Sequence, residues 1–506
     1  MGDKGPKIAF IGAGSARWTS RILIDIFLNK DLRNSEIWLM DINDYRLDII
    51  KTFAKRYIEE LKIPVKVYAT KDRREAIKDA DFVISTVLAK GYTYYETMRD
   101  ISEKYGYYRG INSVEWNMVA DYHTIWGYYQ FKVHLEMARD IEELAPNAWF
   151  FIVSNPVLEL STMIARETKV KVAGICHGFL GFRAALEVLA MRLAKEKLGK
   201  NITHYCAAHM PECYEHLLKL IDFNELEIEM KGLNHVIWLT KFRYKGEDGY
   251  KYLDEWIKED AEEYWNVWRE FTTSPWDLDL CPAAIDMYKT YGYLPIGDSV
   301  RGGTWKYHWD LKTKQYWYGP YGGPDSEIGC AIRVLIVRRN IEEMARTVYD
   351  YSTPIVQKIP PVPSGEVIAT LIDSIYNDKP AETYELPVRF LKSKSIRAPI
   401  YVNIPNNGAI PELPNNVVVE IPVKVDGKGI HAKPVGSLPP KVYRYAILPR
   451  LMRMEWALQA NLEGGRDHLF HWLIMDVRTK STRQVEEVID AILKMPGNEE
   501  MAKHYS

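Results

Sequence analysis

The sequence predicts an α/β protein. A Rossmann-like, doubly wound and mostly parallel sheet spans residues 1–198, and a mixed α+β domain follows over 199–506. Three observations carry this expectation. Residues 7–14 read as a buried strand, KIAFI, that runs into a glycine turn. Short apolar runs then alternate with segments of helical periodicity. After residue 198 that alternation loosens, and proline- and glycine-punctuated strand runs sit between long helical stretches.

Taken in order, residues 7–11 form the first strand, and Gly12-Ala13-Gly14-Ser15 turns the chain into a helix over 17–28. Residues 36–40 form a second strand ending at Asp41. Strand, glycine turn, helix, strand and acid together make a dinucleotide-binding arrangement. Gly12, Gly14 and Ser15 let the backbone approach a pyrophosphate seated on the helix N-terminus. Asp41 is placed to accept hydrogen bonds from the adenosine ribose hydroxyls, which favours NAD over NADP. The third glycine of the usual pattern is missing, and Arg17 holds its position.

Residues 65–69 and 81–87 continue as strands, with a helix at 73–78 between them. A helix over 124–144 carries Ile125, Tyr128, Tyr129, Phe131, Val133 and Leu135 mostly at helical spacing. Pro146 stops it, and a strand follows at 149–153. Ligands of parallel sheets bind beyond the carboxyl ends of strands, which is where Ser154-Asn155-Pro156 and Cys176-His177 fall. Asn155 is expected to bind the nicotinamide ribose or a substrate hydroxyl. Farther on, strands within 226–244 bracket Asn234-His235. Helices are expected at 253–271, 283–291, 328–349, 441–462 and 484–493, with a strand-rich stretch at 398–425.

Composition narrows the partners. The 506 residues carry 66 Lys and Arg against 68 Asp and Glu, with no polybasic tail. Nucleic acid and anionic membrane are therefore poor partners. Residues 1–7 have no apolar core of signal-peptide length and no apolar run reaches spanning length, so the chain is expected to be soluble and cytoplasmic. Five cysteines in a chain this long make no disulfide framework, and a reducing compartment keeps Cys176 available as a ligand. The 15 Trp and 33 Tyr suit sugar platforms, although composition alone favours a large core.

Taken singly, Cys176 and His235 read as buried core residues. Together at strand ends they offer a thiolate and an imidazole to a divalent metal such as Mn, Fe, Co, Ni or Zn. Two protein ligands leave positions open for substrate hydroxyls. His177, Asp298 and Asp121 are candidate proton carriers around that metal. Asp298 and Arg301 also read as a salt-bridged loop, and Asp121 as a helix cap.

The segments KIAFIGAGSARW, EKYGYYRGI, NMVADYHT, SNPVLE, GICHG, GLNHVIWL, PIGDSVR, DSEIG and LPRLMRM occur in this order. In them the chain resembles glycoside hydrolase family 4, the NAD- and divalent-metal-dependent glycosidases, over nearly its whole length. The resemblance implies a nucleotide domain like that of lactate and malate dehydrogenases, and a mechanism outside the two-carboxylate scheme. In that mechanism NAD+ removes hydride from C3 of the terminal sugar, a base takes the C2 proton, and the glycosidic oxygen leaves C1 by elimination. Water then adds and the hydride returns. By the same resemblance Cys176 and His235 hold the metal, most often Mn2+, Asp298 is the C2 base, and His177 is a candidate acid for the leaving group. Asn155 and Asp121 hold sugar hydroxyls, and Arg301 orients Asp298 or the substrate. A homodimer or homotetramer is expected.

Branches of the family with Asp or Asn after the metal cysteine act on 6-phosphorylated sugars. Histidine there looks like the branches that use non-phosphorylated α-glycosides. Cys176-His177-Gly178-Phe179 is most similar to the α-glucuronidase pattern, with α-glucosidase, α-galactosidase and α-galacturonidase as alternatives. A uronate needs a cation, and Arg301 or Lys306 is placed to supply one. One departure is an apparent insertion near 199–231 relative to the α-glucosidase pattern. It carries Cys206, His209, Cys213 and His216 at spacings that suggest zinc ligands but match no standard finger. A peripheral loop or oligomer contact is the favoured reading.

Two rivals come from other classes. A 2-hydroxy acid dehydrogenase of the lactate/malate type uses an Asp-His pair and an arginine, and needs no metal. A non-catalytic NAD-binding sensor needs no catalytic set. Cys176 with His235 argues against the first, and the addition of His177 and Asp298 against the second.

Overall fold

The computed structural model of the protein describes residues 4–108, 125–302, 307, 310–388, 391 and 394–506. Its first six strands are β1 (Lys7–Ile11), β2 (Glu36–Met40), β3 (Lys66–Thr70), β4 (Phe82–Ser85), β5 (Trp149–Ile152) and β6 (Lys171–Gly174). They lie side by side in the order β6-β5-β4-β1-β2-β3 and all pair in parallel. Helices on both faces shield this part of the sheet, which explains why β4 is apolar and buried at every residue but Ser85 and there buried too. The helix Arg183–Leu198 is likewise buried at each residue from Ala184 to Ala194.

Seven of the nine later strands extend this sheet, and the other two, Thr383–Pro387 and Ser395–Pro399, pair with each other in a separate two-stranded sheet. The nine are β7 (Leu226–Leu233), β8 (Val236–Tyr244), β9 (Glu247–Asp248), β10 (Leu294–Ile296), β11 (Thr383–Pro387), β12 (Ser395–Pro399), β13 (Tyr401–Pro405), β14 (Val418–Asp426) and β15 (Gly429–Ala432). Beyond β6 the order runs β13-β14-β7-β8-β10, and every one of these pairings is antiparallel. A transverse row of residues marks the change of direction: Gly174 pairs with Asn403, Asn403 with Glu420, and Glu420 with Gly232. A second, helical core is built from Tyr95, Trp126, Trp472, Val488 and their neighbours, largely from the C-terminal helices. Among the described residues no helix is long and apolar enough to cross a membrane.

Several elements differ from the sequence expectation for local reasons. The strand expected to reach residue 87 stops at Ser85, because the Thr86 hydroxyl turns to donate to the Gly12 carbonyl at 2.7 Å. The helix expected at 124–144 opens with a 3-10 turn, Ile125–Gly127, and becomes α-helical at Tyr128. The helix expected at 253–271 is two, Tyr250–Glu259 and Ala261–Phe271. They part at Asp260, whose carboxylate is held by Arg192 at 3.2 Å and Lys195 at 3.1 Å. The helix over 441–462 contains a widened turn at Tyr443–Ile447, just ahead of Pro449, which has no N–H to donate back into it.

The segment 199–231 corrects the expectation of reduced cysteines and removes the less favoured zinc reading. Cys206 and Cys213 are joined in a disulfide and both are buried. They cannot serve as thiolate ligands, and these two cysteines are not reduced. His209 Nε2 instead pairs with Asp277 Oδ2 at 2.7 Å. A zinc set of Cys206, His209, Cys213 and His216 is therefore ruled out.

The helix Val157–Glu167, which follows the Asn155-Pro156 turn, is tied to the C-terminal helix Leu448–Glu463 by an ion pair. Arg450 Nη1 lies 2.6 Å from Glu159 Oε1, and both side chains are 1% exposed. Removing one partner strands a buried charge. Arg450→Met is expected to destabilise the fold by about 3–5 kcal/mol, and the double variant Glu159→Leu/Arg450→Met to recover most of that. Urea unfolding of the three proteins checks this, and a single variant as stable as the wild type contradicts it.

Candidate active site

The carboxyl ends of four parallel strands supply the first half of the site. β1 runs into Gly12, whose N–H, with that of Ala13, donates to the Met40 carbonyl at 2.9 Å. This folds the glycine turn against the end of β2. Gly14 N–H donates to Asp41 Oδ2 at 2.8 Å, while Asn43 N–H donates to Asp41 Oδ1 at the same distance. A side chain at Gly14 would meet that carboxylate at 2.7 Å, so only glycine permits the contact. Ser15 accepts from the Trp18 N–H through its hydroxyl at 3.4 Å and starts the helix Trp18–Leu28. Gly12, Gly14, Ser15 and Asp41 are thus brought together.

β5 leads to Ser154 and Asn155, and the Asn155–Pro156 peptide is cis. The position of Asn155 is set from behind by Gln130, which is fully buried. Its Nε2 donates to the carbonyls of Asn155 at 2.7 Å and Val87 at 3.0 Å, and its Oε1 accepts from Ala89 N–H at 2.8 Å. Gln130 therefore clamps the loops after β4 and β5. Asn155 Oδ1 is buried and, among the described residues, has no hydrogen-bond partner. Such an acceptor fits a ligand hydroxyl or amide.

β6 leads to Cys176 and His177. The Gly178 N–H donates to Cys176 Sγ at 3.4 Å. His177 stacks on Trp18, the first residue of the helix after the glycine turn, with ring centroids 5.2 Å apart. The nucleotide turn and the cysteine turn are therefore in contact.

The second half comes from the antiparallel strands. β7 and β8 are joined by the two-residue turn Asn234-His235, where Leu233 pairs with Val236 and His235 takes φ +64°. β10 pairs with β8 so that Ile296 faces Ile237, which places Gly297-Asp298 at the same end as His235. The Ser299 hydroxyl accepts from Ile237 N–H at 2.7 Å and fixes the turn. Gly297, at φ +57°, lies against the backbone of Gly178; a Cβ there would sit 2.2 Å from the Gly178 oxygen. That contact joins the two halves.

As a result Cys176 Sγ, an imidazole nitrogen of His235 and a carboxylate oxygen of Asp298 all lie within 4.8 Å of one another. His235 Nε2 is 3.2 Å from Asp298 Oδ2, and Arg301 Nε is 3.4 Å from Asp298 Oδ1 and 3.5 Å from Asp325 Oδ2. Arg333 pairs with Asp325 at 3.4 Å. Burial acts to raise the Asp298 pKa, but Arg301, then His235 and His177, hold the carboxyl well below the usual range. Burial pushes the Cys176 thiol up, and the charges of Glu420 and Asp298 add to that. Burial also pushes Glu420 up to about 8. Thiolate, imidazole and carboxylate are a donor set suited to a divalent transition metal, and a cation there offsets the repulsion that keeps the thiol protonated.

Cys176, His177, His235, Asp298 and Arg301 therefore converge. Asp121 and Lys306 lie outside the described residues. Trp18, Gln130, Asp325 and Glu420 were not singled out from the sequence. Glu420 carried a readable signal, since it is the one acid within the apolar run VVVEIPV, where an acid is costly unless it has a purpose.

Comparisons with known proteins give the family. The description "Family 4 glycosyl hydrolase" matches residues 7–191, and "Family 4 glycosyl hydrolase C-terminal domain" matches residues 230–387 and 393–479. An alpha-glucosidase of Erwinia rhapontici is 24% identical over 96% of this chain and 97% of its own. An alpha-galacturonidase of Thermoanaerobacter italicus is 28% identical over 62% of this chain and 67% of its own. The solved structure of a 6-phospho-alpha-glucosidase from gut microorganisms, in complex with NAD and Mn2+, superposes with a TM-score of 0.64 at 16% identity over 98% of each chain. The family matches together span most of the sequence, and the chain belongs to glycosyl hydrolase family 4.

Proposed function

We propose that this family-4 glycosidase hydrolyses terminal non-phosphorylated α-glycosides, with α-glucuronides as its preferred class, using NAD and a divalent metal such as Mn2+. The observation that carries the reading is the convergence of Cys176, His235 and Asp298 beside a dinucleotide turn. The family-4 structure that holds NAD and Mn2+ supports the pair of cofactors. When bound, NAD takes up and returns a hydride at C3 of the sugar, and the metal polarises the C2 and C3 oxygens. Residues 1–198 seat the nucleotide, and 199–506 close over the sugar.

The residues divide the work by position and charge. Asp41 and Gly14 hold the adenosine ribose and the pyrophosphate turn. Asn155, with its unpartnered Oδ1, takes a hydroxyl of the ribose or sugar. Cys176 and His235 are the protein ligands. Asp298 stays ionised through the neutral range because its pKa is depressed, so it is an anion able to accept the C2 proton. His177, held between Trp18 and Cys176, gives a proton to the departing oxygen. Asp121 is assigned a sugar hydroxyl.

The uronate preference rests on the Cys176-His177-Gly178-Phe179 run, with Arg301, which also pairs with Asp298 and Asp325, as the candidate cation. Relatives include both an alpha-galacturonidase and an alpha-glucosidase, so the choice between a uronate and a neutral sugar is left to experiment. The test is hydrolysis of nitrophenyl α-glucuronide, α-galacturonide and α-glucoside, with and without added NAD+ and Mn2+. Turnover should require both additions, leave no net NADH, and be fastest on the glucuronide. Accumulating NADH would mark a dehydrogenase, and a faster α-glucoside would overturn the sugar preference.

Three variants follow from the assigned roles. Cys176→Ser should lose Mn2+ affinity and Mn2+-dependent turnover while keeping NAD+ affinity; an unchanged kcat contradicts the ligand role. Asp298→Asn should slow exchange of the C2 proton with deuterated solvent by about 10²–10⁴-fold. Exchange at the wild-type rate removes Asp298 as the base. Asp41→Ala should raise the Kd for NAD+ more than the KM for the glycoside, and equal effects on both would misplace the ribose.

A further inference from the structure

The row of residues where the sheet changes direction lies directly beneath the proposed ligands. It runs Gly174, Asn403, Glu420, Gly232 across β6, β13, β14 and β7. Gly174 is two residues before Cys176, and Gly232 is two before Asn234. Only the middle two positions carry side chains, and Asn403 and Glu420 are both buried, at 0% and 1% exposure. Glu420 is therefore a carboxyl enclosed under the site. An enclosed carboxyl is unfavourable unless something holds it.

What it holds is Asn234. The Asn234 Nδ2 donates to Glu420 Oε2 at 2.8 Å. Asn234 is itself buried. It immediately precedes His235, whose left-handed backbone conformation aims the imidazole at the site. Groups of this kind behind a ligand fix its orientation and tune its affinity.

We propose that Glu420 is a positioning residue for the metal: by anchoring Asn234 it holds the turn that carries His235. Glu420 makes no contact with substrate or cofactor in this role and acts only through Asn234. The inference rests on the reading of Cys176 and His235 as the metal ligands. An oxygen at the position of Glu420 Oε2 is sufficient for the anchoring, whereas an aliphatic side chain is not.

The experiment is calorimetric titration of the full chain with Mn2+ and, separately, with NAD+. It compares the wild type with Glu420→Ala, Glu420→Gln, Asn234→Ala, the double variant Glu420→Ala/Asn234→Ala, and Cys176→Ser. Glu420→Ala and Asn234→Ala should each weaken Mn2+ binding by about 10- to 100-fold, with NAD+ affinity retained. The double variant should bind no more weakly than the weaker single, and Glu420→Gln should restore Mn2+ affinity. Wild-type Mn2+ affinity in Glu420→Ala overturns the proposal, as does failure of Glu420→Gln to restore it or additivity in the double variant. If Glu420→Ala does not fold, retained affinity in Glu420→Gln with loss in Asn234→Ala supports it, and any other result for those two overturns it. Cys176→Ser separates the two levels. Unchanged Mn2+ binding there removes the metal reading itself, whereas loss there with normal binding in Glu420→Ala removes only the role of Glu420.

Discussion

The backbone contact between Gly178 and Gly297 is the constraint on which the site depends. The loop after β6 and the loop after β10 meet with no room for a side chain between them. Gly297 is in the left-handed region, which glycine enters at little cost. With those loops joined, Asp298 reaches His235, and Cys176 stands opposite both. A sheet whose directions change at β6 and β13 thereby brings two distant segments to one edge, and the parallel half contributes the nucleotide turn. The fold supplies the site by bringing strand ends together rather than by enclosing a preformed loop.

Electrostatics explain why that meeting point suits a cation. Cys176, Asp298 and Glu420 are acidic groups packed near one another, and Asp298 raises the pKa of both of the others. Asp298 has the Arg301 guanidinium beside it, at 3.4 Å, which lowers its pKa. One carboxylate is thus kept charged while the thiol and the deeper carboxyl resist ionisation. In the proposed reading, Cys176 and His235 would hold a divalent ion, which would relieve that tension at the thiol by displacing its proton. In the proposed reaction the same division keeps Asp298 an anion, while His177 stacks on Trp18 beside the glycine turn.

Much of this was legible in the sequence where local chemistry decides the structure. The strand KIAFI and the strand EIWLM appear at the expected residues, because buried parallel strands read as short apolar runs bounded by turns. Asn234-His235 was bracketed by strands as expected. What was not legible depends on contacts between distant segments. Nothing near Glu420 in the chain says that Asn403 and Gly232 flank it, because antiparallel pairing over long separations leaves no periodic trace. The bond between Cys206 and Cys213 was missed for a related reason: overall cysteine count speaks against a framework, but not against one local bridge between two short helices. The break at Asp260 likewise comes from Arg192 and Lys195 on a neighbouring helix, not from any breaker residue.

The central claim is that Cys176 and His235 hold a metal next to the base Asp298. The most direct measurement is anomalous diffraction at the manganese edge from crystals grown with Mn2+ and NAD+. A single strong peak within bonding distance of Cys176 Sγ and a His235 ring nitrogen is the predicted result. A well-ordered crystal at saturating Mn2+ with no peak there, or with its only peak elsewhere, would contradict the account.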